Sequence, residues 1–215
     1  LIWKAGVSEA GYASPILNKS NEIYIFNEFG LVVHDFKTGK IKKKYQHKTR
    51  YGINAAQPLI YEDKIFISSA YGKGAALIDF SKRVPNVIWE SESFSCQMAS
   101  LVSKGRYSFG IHGQAGARSK QSKLFCLDLE TGKEKWSEKG FGLGTVILVR
   151  DHLVILSDSG EICLAQANPD KFIEKARFQV LSGKNNWTPP TYVNGRMYCR
   201  SSKGDWVCLQ MGTGN

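Results

Sequence analysis

Histidine and cysteine are the residue types of this chain best suited to metal or redox chemistry, and their spacing supports neither. The four histidines are scattered without an H-E-x-x-H or similar metal-binding spacing: His34, His47, His112 and His152. The five cysteines include no C-x-x-C pair: Cys96, Cys126, Cys163, Cys199 and Cys208. A G-x-S-x-G nucleophile elbow is also absent. We therefore predict no catalytic residue and no metal ligand, and we expect the cysteines to be small buried strand residues.

The composition is that of an ordinary globular chain rich in turns. The chain has 215 residues, of which 42% are hydrophobic, 22% are charged and 21 are glycine. This length allows one large all-β domain or two small ones, and it suffices for a full hydrophobic core. The longest apolar runs, such as 145–149, are far too short to cross a bilayer, so we predict no transmembrane helix.

A basic stretch at 37–50 supplies much of the net charge of +10. It contains no acidic residue and seven basic ones: Lys37, Lys40, Lys42, Lys43, Lys44, Lys48 and Arg50. Such a stretch could attract nucleic acid, anionic lipid or acidic polysaccharide. Lysines also protect edge strands from unwanted pairing, which is the simpler interpretation. Because only Tyr45 and Tyr51 lie nearby and no recognised motif is present, nucleic acid is not favoured as a partner.

An internal repeat organises the chain. The sequence LFCLDLETGKEKW at 124–136 has degenerate copies that place Asp35, Asp79 and Asp128 at one equivalent position, followed by Ala165 and Gln210. Upstream of each copy stands a short apolar run, a polar turn and an alternating strand. Each unit therefore predicts four antiparallel strands in about 43 residues, the size of a β-propeller blade.

We predict a single all-β domain, a β-propeller over 1–215 with about five blades. The blades are expected at 12–50, 51–92, 93–140, 141–181 and 182–215, the last completed by 1–5. Read head to tail, MGTGN followed by LIW aligns with LETGKEKW, which suits a closed five-bladed ring. The same phase suits part of a ring with seven or eight blades.

Several residues of the repeat have a structural interpretation. The repeat aspartates can accept backbone N–H groups of the following turn, and Gly132 suits the tight turn itself. Each tryptophan can fold back against the turn of its own or the next blade, although Lys43 stands where Trp136 would fall. The structural set is Asp35, Asp79, Asp128, Thr131, Gly132, Trp136, Trp3 and Trp89.

The T-G-K-x-x-W turn with its upstream aspartate, at 126–136, resembles the tryptophan-docking repeat of bacterial quinoprotein-like (PQQ-like) β-propellers. Nearly the whole chain is similar to the C-terminal half of such proteins, through the stretches 51–60, 66–77, 140–148, 164–190 and 194–209. This resemblance implies a ring of seven or eight blades whose N-terminal blades are missing here, and a periplasmic or extracellular location. The family includes dehydrogenases of alcohols and sugars that use PQQ and Ca²⁺, and scaffolds without a cofactor, so the fold alone does not select an activity.

Ligand sites of a propeller are expected at the central channel. The candidate residues there are Tyr12, Asn54, Gln57, Gln97, His112, Asn186 and Trp187. This set has no Asp or Glu, whereas a quinone site needs oxygen ligands for Ca²⁺ and a carboxylate base. We therefore predict no cofactor and a non-catalytic scaffold that binds a protein or glycan partner through its loops and channel face, with 110–123 and 37–50 as contact surfaces. A PQQ- and Ca²⁺-dependent oxidoreductase acting on an alcohol or sugar is the alternative. We also expect one short helix before an outer strand, with Asn168 or Asp170 near its start.

Overall fold

The structure is a computed structural model that describes residues 1–6, 8–116 and 119–212. These residues form antiparallel sheets in chain order, and the all-β propeller prediction is confirmed. No helix in the described part of the chain combines the length and the apolar character that a bilayer crossing requires.

Four of the sheets have four strands each, in sequential order. Sheet 1 consists of β1 (Ile16–Leu17), β2 (Glu22–Phe26), β3 (Gly30–Asp35) and β4 (Ile41–Gln46). Sheet 2 consists of β5 (Leu59–Tyr61), β6 (Lys64–Ser69), β7 (Gly74–Asp79) and β8 (Asn86–Ser91). Sheet 3 consists of β9 (Val102–Lys104), β10 (Tyr107–His112), β11 (Lys123–Asp128) and β12 (Lys133–Glu138). Sheet 4 consists of β13 (Thr145–Val149), β14 (His152–Leu156), β15 (Glu161–Gln166) and β16 (Glu174–Gln179).

Sheet 5 has three strands within the described residues: β17 (Thr191–Val193), β18 (Arg196–Arg200) and β19 (Trp206–Gln210). Residues 1–5 lie outside any strand, so the expected completion of the last blade by 1–5 stays a prediction. The end of the fifth predicted blade, 213–215, falls outside the described residues.

The chain divides into two compact units. Unit 1 comprises Leu1–Gln97 with the turn Leu129–Gly132, and unit 2 comprises Met98–Asp128 with the chain from Lys133 onward. In unit 1 the core is built from β2, β3, β6 and β7, with Phe26, Leu31 and Ile67 almost fully buried. In unit 2 one core joins sheets 3 and 4, and a second joins sheets 4 and 5 around Met197. The apolar faces of single sheets are thus covered by neighbouring sheets, as blades require.

The expected short helix near Asn168 is wrong. The Asn168 side chain accepts the N–H groups of Asp170 and Lys171 at 2.8 and 3.3 Å, which forms an isolated turn. Strand β16 begins only three residues later, because Phe172 packs against Trp136 and Phe141 and holds the chain extended. A 3₁₀ turn at Ser119–Gln121 is the helical element of the described residues.

A β-bulge recurs where the third and fourth strands of sheets 1 to 4 pair. The register shifts between Val33 and His34 in sheet 1, and at the equivalent positions of the other three sheets. Beside the bulge, the fourth strand carries Lys43, Trp89 or Trp136 in sheets 1 to 3. A bulge changes the direction of the neighbouring side chain, so the side chain at this position of the fourth strand points away from its own sheet.

Each of these aimed side chains donates a hydrogen bond to a backbone carbonyl in a turn. Trp89 Nε1 donates to Leu129 O at 2.6 Å, and Trp136 Nε1 donates to Asn168 O at 2.9 Å. Lys43 Nζ donates to Phe80 O in the same way, although its side chain is not aromatic.

Trp3, in the N-terminal residues, makes the same kind of contact. Trp3 Nε1 donates to Phe36 O at 2.9 Å, and its ring stacks on His34 at 6.5 Å between centroids. The ring lies so close to Gly39 that a Cβ there would come within 2.5 Å of it. Gly39 also has a φ of +70°, so both the backbone and the indole exclude larger residues.

Replacing Trp89 by Phe is expected to lower the free energy of unfolding by about 1 kcal/mol, because Leu129 O loses its donor while most of the ring packing stays. The matched control is Trp206→Phe, since Trp206 is 71% exposed and should change stability by less than about 0.5 kcal/mol. Urea unfolding followed by fluorescence measures both. Equal losses in the two variants would contradict the importance of this hydrogen bond.

Candidate functional site

Asn54, predicted to line a channel, is instead fully buried in unit 1. Its amide nitrogen donates to Asn27 O at 2.7 Å and to His47 O at 3.1 Å. Its Oδ1 accepts the Ser69 hydroxyl at 2.6 Å. The side chain therefore ties together the loop before β5, the β2–β3 turn and the end of β6, and its polar atoms are engaged by the chain itself.

Asn186 plays the same part in unit 2. It is also fully buried, and its amide nitrogen donates to Asp158 O at 3.1 Å. Its Oδ1 accepts the backbone N–H of Ser202 at 3.0 Å. Both asparagines precede an inner strand, so this position of the repeat braces the loops that enter the sheets.

An exposed aromatic cluster lies on the loops that Asn54 braces. Tyr51, 61% exposed, meets Tyr71 edge to face with 5.0 Å between ring centroids. The Arg50 guanidinium lies over the Tyr51 ring at 5.4 Å, and the Gln97 amide donates to the Tyr71 hydroxyl at 2.7 Å. We call these four residues the Tyr51–Tyr71 cluster. Of the predicted channel residues, Gln97 alone belongs to it.

The backbone at Tyr71 is strained. Its φ is +63°, in the left-handed region that a bulky residue rarely adopts. Such strain persists where the surrounding structure holds it, and it concentrates at binding and catalytic sites. The turn between β6 and β7 thus keeps a tyrosine in a position that glycine or asparagine would occupy at lower cost.

Two other predicted channel residues of unit 1 are exposed. Tyr12 is 75% exposed, and its backbone N–H donates to Asn54 O at 2.9 Å, which places it next to the braced loop. Gln57 is exposed at the end of that loop, just before β5. Both are accessible from solvent, so they can extend a binding surface.

The predicted site residues of unit 2 form a less accessible set. His112, a predicted channel residue within the expected contact loop 110–123, ends strand β10 and pairs with Lys123 in β11. Burial, together with the charge of Lys123, lowers the pKa of His112. Trp187 is partly buried, and its indole N–H has no hydrogen-bond partner among the described residues. In the expected contact loop 110–123, residues 117 and 118 lie outside the described part of the chain.

Most of the basic stretch is already engaged within unit 1. Lys42 pairs with Glu22 at 2.7 Å, Lys48 pairs with Glu28, and Lys44 lies over the Phe29 ring. With Lys43 bound to Phe80 O and Arg50 stacked on Tyr51, the remaining two basic residues, Lys37 and Lys40, are exposed. The stretch includes edge strand β4, and its positive charge is partly neutralised by the same sheet.

Two of the repeat aspartates, Asp35 and Asp79, bind their own turns. Asp35 Oδ1 accepts the N–H and the hydroxyl of Thr38, each at 2.8 Å, and the N–H of Lys37 at 3.1 Å. These bonds lower the pKa of Asp35. Asp79 accepts the N–H of Ser81 at 2.7 Å, and Asp128 pairs with Arg106. The Thr131 and Gly132 positions lie in the turn that Trp89 covers, where a Cβ on Gly132 would come within 2.8 Å of the indole.

Four of the five cysteines are buried strand or loop residues, as expected, whereas the expectation is wrong for Cys208, which is exposed in β19 because the described residues leave that face of the strand uncovered. Burial raises the pKa of the Cys96, Cys126 and Cys163 thiols to about 12 and that of Cys199 to about 11. Such thiols stay protonated at neutral pH and are poor nucleophiles.

The PQQ-like resemblance makes a calcium-bound quinone worth testing against the side chains present. Among the described residues, no three His, Cys, Asp or Glu side chains lie close enough together to hold a metal ion. The exposed cluster of unit 1 supplies phenols, an amide and a guanidinium instead. These side chains do not fit a carboxylate-bound calcium ion under a quinone.

A family profile described as outer membrane protein assembly factor BamB matches residues 4–138. This chain belongs to the BamB family. The predicted resemblance to PQQ-like propeller repeat proteins is thereby confirmed. Comparison with curated proteins gives no significant sequence match.

Solved structures show the same fold. The chain is similar to BamB from Moraxella catarrhalis, with a TM-score of 0.69 and 14% identity over 97% of this chain and 63% of that one. It is also similar to the computationally designed Ika8 protein, with a TM-score of 0.68 and 10% identity over 96% of this chain and 59% of that one. The Cps50 (Swd1) β-propeller domain of Myceliophteria thermophila gives a TM-score of 0.58 at 14% identity, over 92% and 73% of the two chains. This BamB-family chain thus spans about 63% of the length of the Moraxella protein.

Asn54→Ala is expected to lower the free energy of unfolding by about 3 kcal/mol, because it leaves two buried carbonyl groups and a buried hydroxyl without their partner. Tyr12→Ala, a truncation of an exposed neighbour, is the control and should cost less than about 0.5 kcal/mol. Chemical denaturation of both variants measures the difference. Similar stabilities would show that Asn54 does not brace the loops.

His47 is expected to make stability depend on pH. Burial, with a smaller contribution from the Lys73 ammonium, lowers the pKa of His47 to about 3, whereas an unfolded histidine titrates near 6.5. Below pH 6.5 the unfolded chain therefore binds a proton that the folded chain does not, and stability is lost as the pH falls toward 3. The advantage of the wild type over His47→Gln should shrink by about 2 kcal/mol between pH 7 and pH 5. Parallel pH curves for the two proteins in urea unfolding would contradict this.

Proposed function

We propose that this protein is a non-catalytic β-propeller scaffold that binds a protein partner through the Tyr51–Tyr71 cluster, and that it works in outer membrane protein assembly in the periplasm. Membership of the BamB family supports the scaffold role and the compartment.

The observation that carries the proposed surface is the exposed Tyr51, which is stacked with Arg50 and meets the half-buried Tyr71 of a strained turn. Tyrosine and arginine are enriched among the residues that dominate binding energy at protein interfaces. Asn54 fixes the loop of Tyr51, and the hydrogen bond from Gln97 fixes Tyr71, so little ordering entropy is lost on binding. Rigid aromatic side chains on braced loops favour a protein partner over a glycan or a nucleic acid.

The alternative of an oxidoreductase has less support, because the side chains that are exposed together in unit 1 lack a carboxylate ligand set. The thiols of Cys96, Cys126, Cys163 and Cys199 are also buried, and their raised pKa keeps them protonated at neutral pH. A scaffold needs neither group.

Replacing Arg50 and Tyr51 by alanine together is expected to weaken binding of the purified outer-membrane assembly proteins from the same bacterium by about thirtyfold or more, because truncation of an interface hot spot costs about 2 kcal/mol. The matched control is the double variant Arg200→Ala with Trp206→Ala, since Arg200 also stacks on an exposed aromatic ring, at 6.0 Å, but in unit 2. Biolayer interferometry measures the dissociation constants, and circular dichroism checks that both variants are folded.

Three results would overturn the proposal. A larger loss of affinity in the control double variant would show that the binding surface lies in unit 2. Binding to purified cell-wall glycan with no binding to the assembly proteins would replace the protein partner by a glycan. A rise in melting temperature at saturating PQQ and Ca²⁺ would support the oxidoreductase instead, because a ligand that binds the folded state stabilises it.

A further inference from the structure

A polar pocket in unit 1 lies beside the Tyr51–Tyr71 cluster and is separate from it. Its volume is about 310 Å³, and it lies where the end of β4, the β6–β7 turn and the end of β8 meet. The titratable residues of its lining are His47, Lys73, Glu90 and Glu92. Only Gly72 separates Tyr71 of the cluster from Lys73 of the pocket. A partner that lies on the cluster therefore passes the mouth of the pocket.

His47 is a buried polar group that lacks a partner. The residue is 1% exposed, and neither ring nitrogen has a hydrogen-bond partner among the described residues. Its backbone is fixed, because its N–H donates to Phe29 O at 3.0 Å and its carbonyl accepts the Asn54 amide. A buried polar atom without a hydrogen bond is costly, so this imidazole favours a ligand that can bond to it. At neutral pH it is uncharged and offers one acceptor and one donor.

Carboxylates outnumber ammonium groups in the pocket lining, although the charge that acts on the His47 ring itself is that of Lys73. Glu90 and Glu92 place two carboxylates in the pocket lining, against the single ammonium of Lys73. The Tyr45 hydroxyl donates to Glu90, which positions that carboxylate and leaves its charge in place. Within the described residues, Lys73 forms no ion pair with either glutamate. The lining therefore carries a net negative charge although the whole chain is basic.

Three acceptors on one pocket suit a guanidinium group. The two carboxylates and one imidazole nitrogen can each accept an N–H, and a guanidinium presents five N–H donors in a fixed planar arrangement. Carboxylate–guanidinium bonds are charge-assisted and stronger than neutral hydrogen bonds. A metal ion is a poorer match, since these side chains do not form a metal-binding group.

We propose that this pocket binds the guanidinium group of an arginine side chain carried by the partner protein. The inference rests on the proposed partner-binding function, because the arginine belongs to the protein that binds the Tyr51–Tyr71 cluster.

The test uses a small probe, so that it does not depend on the partner. The chain is labelled with ¹⁵N-histidine and titrated with N-acetyl-arginine-N-methylamide, while NMR follows the His47 ring signals. The expected result is a saturable shift of His47, with binding of the uncharged analogue N-acetyl-citrulline-N-methylamide at least about tenfold weaker. The variant Glu92→Gln should weaken the arginine probe by about tenfold. Asp63→Asn, which removes an exposed carboxylate outside the pocket, should leave it unchanged.

Several results would overturn the proposal. One is an unshifted His47 at about 100 mM arginine probe, a concentration at which even very weak binding is visible. Equal binding of the citrulline analogue, or an unchanged affinity in Glu92→Gln, would show that the charge of the guanidinium group does not contribute to binding. If free arginine binds more than about tenfold tighter than the capped probe, the ligand of the pocket is a small molecule and not an arginine side chain of a protein. A His47 shift with Zn²⁺ alone and none with arginine would make the pocket a metal site. In each case the Arg50 and Tyr51 double variant still reports separately on the proposed function.

Discussion

The hydrogen bond from a tryptophan or lysine side chain to a turn carbonyl is the contact on which the rest of this structure depends. It occurs four times among the described residues: Trp3 to Phe36, Lys43 to Phe80, Trp89 to Leu129 and Trp136 to Asn168. In the first three cases the accepting residue directly follows a repeat aspartate. A four-stranded sheet has two faces and cannot bury both alone, so each blade needs a fixed neighbour. A bulge lies beside the donor at Lys43, Trp89 and Trp136, and Asp35 and Asp79 hold the turns that accept from Trp3 and Lys43. The repeat sequence therefore specifies both the donors and the accepting turns.

Lys43 shows that the donor matters as much as the ring. It stands where the other sheets carry tryptophan, and it still reaches the equivalent carbonyl, that of Phe80. Its aliphatic stem lies along the blade while its ammonium replaces the indole N–H, as long amphipathic side chains commonly do. A lysine that looked like part of a basic surface is therefore a structural residue. The same applies to Lys42 and Lys48, whose charges are balanced by glutamates of unit 1.

Rigid sheets leave the loops free to carry function. Asn54 occupies a position that a propeller could use for a ligand, yet its side chain joins three backbone segments. The stability that this bracing adds allows Tyr71 to stay in a left-handed conformation and Tyr51 to stay exposed. The strain at one loop is thus supported by a buried amide next to it, which is the usual relation between a binding surface and its scaffold.

The sequence by itself determined the strands, their order and the positions of the docking residues. Alternating hydrophobicity, turn residues such as Asn-Gly and the spacing of Asp35, Asp79 and Asp128 are local signals, and sequential hairpins convert them directly into sheets. Local signals gave a wrong prediction at Asn168. A helix is predicted to start there, but the chain forms an isolated turn, because Phe172 packs against aromatic rings that are distant in sequence. Local signals also failed at His112, which extends a strand.

Only the tertiary structure decided which polar residues are accessible to a ligand or partner. The sequence predicts Asn54 and Asn186 as channel residues together with the exposed Tyr12, and only the fold shows that both amides are buried and bonded. The Tyr51–Tyr71 pair and the environment of His47 join residues from loops and strands that are far apart along the chain. No short-range pattern encodes such a meeting, because it depends on how strands and loops pack and therefore on contacts whose sequence separation exceeds the length of any single strand or turn.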